Sequence, residues 1–297
     1  MRVATQSFYK GIQQNLLRLS WNLERVNEKI TSGKKINRPS DDPIAAMDSL
    51  GLRTALSQME QYSRNIGVGR SWLTLSESSL TQILDLVTRA KEIAIQMSND
   101  SQNSETRAST AFEVGHLLDQ AVALGNTKLG NSYIFAGYQT HTSPFSKVTV
   151  GGIETSQYLG DTNNFQIQIG DNETLTAGKN GQNVLMDSNL FNTLGNLKKA
   201  LEDNNVSRVR QQLNALDGVD TYLNNQIADV GAKSNRLEGK ENVLADLNLH
   251  FKDRLSQVED VDLAEGILEL KEKELAYQAA LQASASISQL SLMDYLR

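Results

Sequence analysis

Apolar residues recur at alternating steps of three and four over most of this chain. Tyr9, Ile12, Leu16, Leu19, Leu23, Val26 and Ile30 form the first such stripe, and Gly33 follows it. That spacing is the a/d seam of a coiled-coil-like helix, and glycine is a natural stop. A second stripe runs Leu52, Leu56, Met59, Ser63, Ile66, Arg70, Leu73, Ser76, Leu80, Ile83, Val87, Ala90, Ala94 and Met97. The polar run "SNDSQNSE" ends it, and a shorter apolar helix is expected to about Leu129.

The third stripe is the longest: Val209, Leu213, Leu216, Asp220, Leu223, Ile227, Val230, Ser234, Leu237, Glu241, Leu244, Asn248, Phe251, Leu255 and Val258. A helix of about fifty residues would be roughly 75 Å long. After "QVEDVD" the phase changes, and a last helix carries Leu263, Ile267, Leu270, Tyr277, Leu281, Ile287 and Leu290. Its second half, "QAALQASASISQL", is rich in Ala and Ser, which allow close helix approach. Arg70 and Glu241 stand at seam positions and predict exposed or register-setting sites there. The middle stripes read as internal core. The terminal stripes need a cover, which must be each other, the rest of the chain or another subunit.

Between the helical halves, residues 139–186 alternate and turn. "FQIQI" is a strict apolar–polar alternation, and Gly, Asn and Asp punctuate the remainder, so a small β-rich insertion is expected. The fold class predicted is mainly α, a long antiparallel coiled-coil-like helical rod with a small β-rich inserted domain. The two halves are expected to lie side by side, with both chain ends at one pole.

Composition agrees with long helices: three prolines and 6% aromatic residues in 297. The net charge of −6 argues against nucleic acid as a partner, since phosphate binding needs clustered Lys and Arg. No apolar run is long enough for a membrane span. The N-terminus lacks the apolar core and cleavage site of a secretory signal. Cysteine is absent, which excludes disulfides and thiolate metal sites and fits a cytosolic or an exported protein alike.

The stretch "TSGKKINRPSDDPIAAM", from Thr31, raises the question of catalysis. A Walker loop needs Gly five residues before the Gly-Lys pair and Ser or Thr after the lysine. Glu28 and Lys35 occupy those places, so the motif fails twice. Gly67 and Gly69 lack the third glycine of a dinucleotide fingerprint, because Trp72 stands there. Asp42 before Pro43 reads as an N-cap with proline in the first turn. Gly33, Asp42 and Pro43 are therefore assigned to a joint between helices. Lys34, Lys35 and Arg38 read as a solvated turn, or as partners for acidic groups on a neighbouring subunit. The three histidines, His116, His141 and His250, form no zinc pair, and no Gly-x-Ser-x-Gly elbow occurs. No cofactor, metal or catalytic residue is predicted, and the chain is expected not to be an enzyme.

"LxRLSxxLxRxxxxITSGKKINRPSDDPIAA", from Leu16, closely resembles the N-terminal segment of bacterial flagellins and their relatives. "LAEGILELKEKELAYQAALQASASISQLSLMDYL" resembles the matching C-terminal segment. Within that superfamily, "YIFAGYQTHTSPF" (from Tyr133) and the ending "SLMDYLR" are more similar to the hook–filament junction members than to filament flagellin. The resemblance covers both helical halves and implies three layers. Residues 1–42 with 260–297 would be terminal coiled-coil assembly segments forming an inner layer. Residues 43–138 with 187–259 would be the helical rod, and 139–186 an outer domain. It implies export without a cleaved signal peptide and a place between the first hook-associated protein and flagellin. Self-association into a ring and an export chaperone on the C-terminal helix are also implied. Filament flagellin itself is the alternative, and a coiled-coil secretion or adhesion factor the more distant one. The assembly interface expected comprises Tyr9, Ile12, Leu16, Leu19, Leu23, Val26, Ile30, Leu263, Ile267, Leu270, Tyr277, Leu281, Ile287 and Leu290. Both terminal helices are expected to order only when neighbours cover them.

Overall fold

The computed structural model describes the backbone of residues 2–295 and the side-chain surroundings of Ser7 and residues 9–286. Six helices account for most of the chain: α1 (Arg2–Ser32), α2 (Pro43–Met97), α3 (Ser104–Gly125), α4 (Leu190–Glu202), α5 (Val206–Glu259) and α6 (Leu263–Tyr295). Six short strands lie between α3 and α4: β1 (Lys128–Leu129), β2 (Ser132–Tyr133), β3 (Phe145–Val150), β4 (Ile153–Tyr158), β5 (Phe165–Gly170) and β6 (Glu173–Gly178). The mainly α class with a small β-rich insertion is borne out. The chain divides into two compact units, residues 1–58 with 246–297 and residues 59–245.

In the unit of residues 59–245 the periodic stripes become core. Ile66, Leu73, Leu80, Ile83, Val87, Ala90 and Met97 of α2 are buried, as are Val209, Leu216, Leu223, Val230, Leu237 and Leu244 of α5. The polar seam residues act across the two helices. Arg70 pairs with Glu241, and beside the seam Lys91 meets Asp217 at 2.7 Å. Polar side chains at seam positions fix helix register in this way. Arg107, itself buried, donates to the carbonyls of Met97 at 3.0 Å and Asn99 at 2.8 Å, closing the C-terminal end of α2.

The strands pair as three antiparallel hairpins, β1–β2, β3–β4 and β5–β6. Alternation along "FQIQI" sends Ile167 and Ile169 inward, with Leu175 and Ala177 opposite. Trp72 fastens the hairpins to α2: its ring stacks on Phe165 at 4.7 Å, and its Nε1 donates to the Ile134 carbonyl at 3.2 Å. Gly69, whose spacing suggested a nucleotide loop, is a point of close approach. A Cβ there would sit 2.3 Å from Ile167 Cδ1.

Three local expectations change. Helix α3 stops at Gly125, short of Leu129, because the Asn126 N–H takes the last carbonyls and the chain turns into β1. The β-rich region begins earlier than residue 139 and closes in a π-helical turn, Gln182–Met186. Helix α4 was not read from a stripe, yet it buries Leu190, Phe191, Leu194, Leu197 and Leu201. It packs on β4 through Gly195, where a Cβ would fall 1.9 Å from the Glu154 carbonyl oxygen. Lys147 joins Asp119 (2.7 Å) to Glu154 (2.9 Å), and Lys198 reaches the same carboxylate at 2.9 Å.

The unit of residues 1–58 and 246–297 is built differently. Among its described residues only Val26 and Leu56 are buried apolar side chains. Its largest contact is α1 against α6.

Candidate functional site

The terminal unit contains two features of interest, a joint and a set of bare apolar faces. At the joint, Gly33 ends α1 with φ of 71°, a conformation that costs a residue with a Cβ roughly 1–2 kcal/mol. Asp42 caps α2: its Oδ1 accepts from Ile44 N at 3.1 Å and Ala45 N at 3.0 Å, and Pro43 occupies the first helical position. Asp41 organises the loop, accepting from Arg38 N at 3.0 Å and pairing with Arg25 at 2.7 Å. Burial works against its negative charge, but the Arg38 and Asn37 amides and the Arg25 guanidinium outweigh it and hold the carboxyl below its ordinary value. The two aspartates are thus engaged in turn and cap.

The second joint, between α5 and α6, lies against the first. Lys35 N donates to the Glu259 carbonyl at 2.6 Å and Val261 N to the Gly33 carbonyl at 3.0 Å, an antiparallel bridge centred on Lys34 and Asp260. Below it, the Glu259 carboxylate is buried at the C-terminal end of α5, where the helix dipole disfavours negative charge. Three donors compensate. Arg53 is bidentate at 2.7 and 2.6 Å, Lys34 stands at 2.8 Å, and the Ser49 hydroxyl donates to Oε1. The Arg53 hydrogen bonds lead in lowering the carboxyl to about 2, with Lys34 and Ser49 assisting against burial. Lys34 and Arg38 find acidic partners in their own chain, Lys34 at Glu259 (2.8 Å) and Arg38 at Glu28 (3.1 Å). Glu259 and Arg53 were missed in the sequence. The only signal was the loss of stripe phase after Val258.

The terminal helices meet along one seam. On α1, Ile12, Leu16, Leu19, Leu23 and Ile30 are half-buried, Val26 is buried and Tyr9 is exposed. On α6 the covered stripe is Gly266, Leu270, Lys273, Tyr277, Ala280 and Ser284, with Glu269 and Glu274 half-buried beside it. Leu270 and Tyr277 thus face α1, whereas Leu263, Ile267 and Leu281 stand exposed on another side, beside the exposed Leu268 and Leu275. Ile287 and Leu290 lie outside the described residues. Helix α1 also presents Leu17 and Trp21, both more than 60% exposed, away from α6, and the first turns of α2 present Ile44, Met47 and Leu50. Soluble monomers rarely expose so many large apolar side chains together.

No grouping of metal-ligating side chains occurs among the described residues, and no described helix is long and apolar enough to cross a membrane. A groove of about 500 Å³ is lined by Thr174, Thr176, Lys179, Asp229, Lys233 and Arg236, but its charges are already paired. Lys179 and Lys233 hold Asp229 at 3.0 and 2.7 Å, and Arg236 holds Glu173 at 2.9 Å.

Residues 3–140 match the bacterial flagellin N-terminal helical region, and residues 213–296 match the bacterial flagellin C-terminal helical region. The chain belongs to the bacterial flagellin family. Flagellar hook-associated protein 3 of Escherichia coli is 29% identical over 99% of both chains, and that of Salmonella typhimurium 27% over the whole of both. A filament core protein of Treponema maltophilum is 26% identical over 86% of this chain and 84% of its own. Among solved structures, FlgL of Bacillus cereus aligns with a TM-score of 0.59 at 25% identity, covering 69% of this chain and 99% of that one. A flagellar hook-associated protein of Vibrio parahaemolyticus shares the fold, with a TM-score of 0.66 at 20% identity over 74% and 100%. This flagellin-family chain is a structural protein of the flagellum, and an exported one, resident among hook and filament components.

Proposed function

We propose that this chain is the hook–filament junction subunit, an adaptor whose terminal helices complete their burial only against neighbouring subunits. The observation that carries the assembly mechanism is the terminal unit itself. It has two buried apolar side chains among its described residues, yet Leu17, Trp21, Ile44, Met47, Leu268 and Leu275 are open to solvent. An isolated helix pair of this kind recovers too little from burial to offset the entropy of ordering both chains. Neighbours supply the missing cover, and ordering then becomes coupled to assembly. Full-length similarity to two hook-associated proteins 3 supports the junction over other flagellar positions.

In this reading residues 1–42 and 260–297 form the inner layer, residues 43–138 and 187–259 the rod, and residues 139–186 the outer domain. The subunits self-associate as a short ring. The first hook-associated protein lies below the ring and flagellin above it, and an export chaperone shields the C-terminal helix beforehand. Export proceeds without a cleaved signal peptide, and the subunit itself is no enzyme and holds no cofactor. Electron microscopy of a strain lacking the gene tests the assignment. Hooks without filaments, with flagellin shed into the medium, are expected, and full-length filaments on such cells would overturn it.

Filament flagellin is the second reading, favoured by the likeness to the Treponema filament protein. Purified subunits added to filament seeds separate the two. A junction subunit leaves seed length unchanged, whereas flagellin extends seeds indefinitely.

A further inference from the structure

The α1–α6 seam carries little information about its own register. Gly266 meets Ile30, since a Cβ at residue 266 would lie 3.2 Å from Ile30 Cγ1. Continued antiparallel from that contact, the seam sets Val26 beside Leu270, Leu23 beside Lys273, Leu19 beside Tyr277, Leu16 beside Ala280 and Ile12 beside Ser284. All of these residues are buried or half-buried, and the half-buried polar residues Asn22, Glu28, Lys29, Glu269 and Glu274 flank them. On α1 all six are aliphatic and nearly interchangeable. On α6 only Leu270 and Tyr277 are large and apolar, and they stand one heptad apart. A slip of seven residues would put Tyr277 where Leu270 was and leave the packing much the same. Lys273 has a leucine opposite it, and of the half-buried Glu269 and Glu274 that flank the seam the latter pairs with Lys271 of its own helix at 2.7 Å. Among the described residues, then, no ion pair of the kind that fixes coiled-coil register joins α1 to α6.

We propose that the register of the terminal helix pair is set at the joint, by the Glu259 clamp and the Lys34–Asp260 bridge, rather than along the seam. The clamp ties together three pieces of chain: Lys34 after α1, Ser49 and Arg53 on α2, and Glu259 at the end of α5. The bridge then fixes Gly33 against Val261, three residues from Ile30 on one strand and five from Gly266 on the other. With both ends anchored so close to the first seam contact, a slip of one heptad requires the bridge to break. Without Glu259, Arg53 and Lys34 would face each other with no carboxylate between them, and the two joints would separate. Glu259 is thus a positioning residue for the assembly segments, and this holds wherever in the flagellum the subunit resides.

The natural absence of cysteine makes the test direct. Two double variants of the full-length chain, Leu23→Cys with Lys273→Cys (in register) and Leu23→Cys with Ala280→Cys (one heptad off), are oxidised at high dilution, where the terminal helices pair only transiently and the disulfide records the register they visit. Intrachain disulfides are then scored by gel mobility and peptide mass. The parent background should trap the in-register pair at least five-fold more than the shifted pair. Adding Glu259→Ala should bring the two yields within two-fold of each other. Lys34→Ala, which leaves the Arg53–Glu259 pair in place, should act in the same direction and guards against general misfolding. In a Trp21→Phe background, Trp72 fluorescence reports on the other unit and should not change. An in-register preference that survives both substitutions would overturn the proposal, as would a parent chain that traps the shifted pair equally well.

Discussion

At the scale of single residues, the joint depends on charges held away from their ordinary behaviour. Glu259 has its carboxyl lowered to about 2, chiefly by the Arg53 hydrogen bonds. A carboxylate lowered on folding stabilises the native state fully above its unfolded value, near 4.3, and that contribution is lost as pH falls toward the folded value. Protection of the Lys35 and Val261 amides should therefore persist from neutral pH to about 5 and disappear between about 4.3 and 2. Hydrogen exchange across that range checks it, and Glu259→Gln should remove the protection already at pH 7. Gly33→Ala places a side chain at φ of 71°, with open space around it but a strained backbone. It should destabilise the joint by about 1 kcal/mol, measurable as a faster opening rate at Lys35. The cap at Asp42 and the stop at Gly33 could be read from the sequence, because capping is a local matter of one side chain and the next turn. Glu259 could not: its partners are more than two hundred residues away in the chain, and nothing in "SQVEDVD" marks one acid above the others.

At the scale of elements, periodicity carried the reading far where one face is enclosed. The stripes of α2 and α5 between residues 59 and 245 coincide with buried side chains, and polar Arg70 and Glu241 pair across them. The α6 stripe was less legible. Leu and Ile occur on more than one face there, and the face that packs on α1 is made partly of Gly, Ala and Ser, which hydrophobic periodicity passes over. Helix α4 escaped for a related reason, being short and surrounded by turn-like residues. Its packing rests on Gly195 against the Glu154 backbone. Gly195→Ala should cost about 1–3 kcal/mol through overpacking. Gly69→Ala, which meets only the flexible side-chain ends of Ile167 and Leu237, should cost less. Thermal unfolding followed by Trp72 fluorescence in a Trp21→Phe background would rank the two, and the reverse order would show that β5 packs more rigidly than this geometry implies.

At the scale of the whole molecule, the chain devotes all but two of its described buried apolar residues to one unit and leaves the other incomplete. Such a division suits a subunit that must travel alone and then become part of a larger structure. The free chain should show fast exchange over residues 9–30, with strong protection only after incorporation into flagella. Uniform protection in the free chain would mean that α1 and α6 are sufficient to each other. The exposed faces make a sharper prediction than the seam, because changing them leaves α1–α6 packing intact. Cells lacking the native gene and expressing Trp21→Glu together with Leu275→Glu provide the most direct measurement. Electron microscopy of their flagella, with quantification of flagellin in the medium, should find bare hooks, the variant exported at normal levels, and flagellin shed. Normal filaments on those cells would show that these faces meet no neighbour, and would contradict the account.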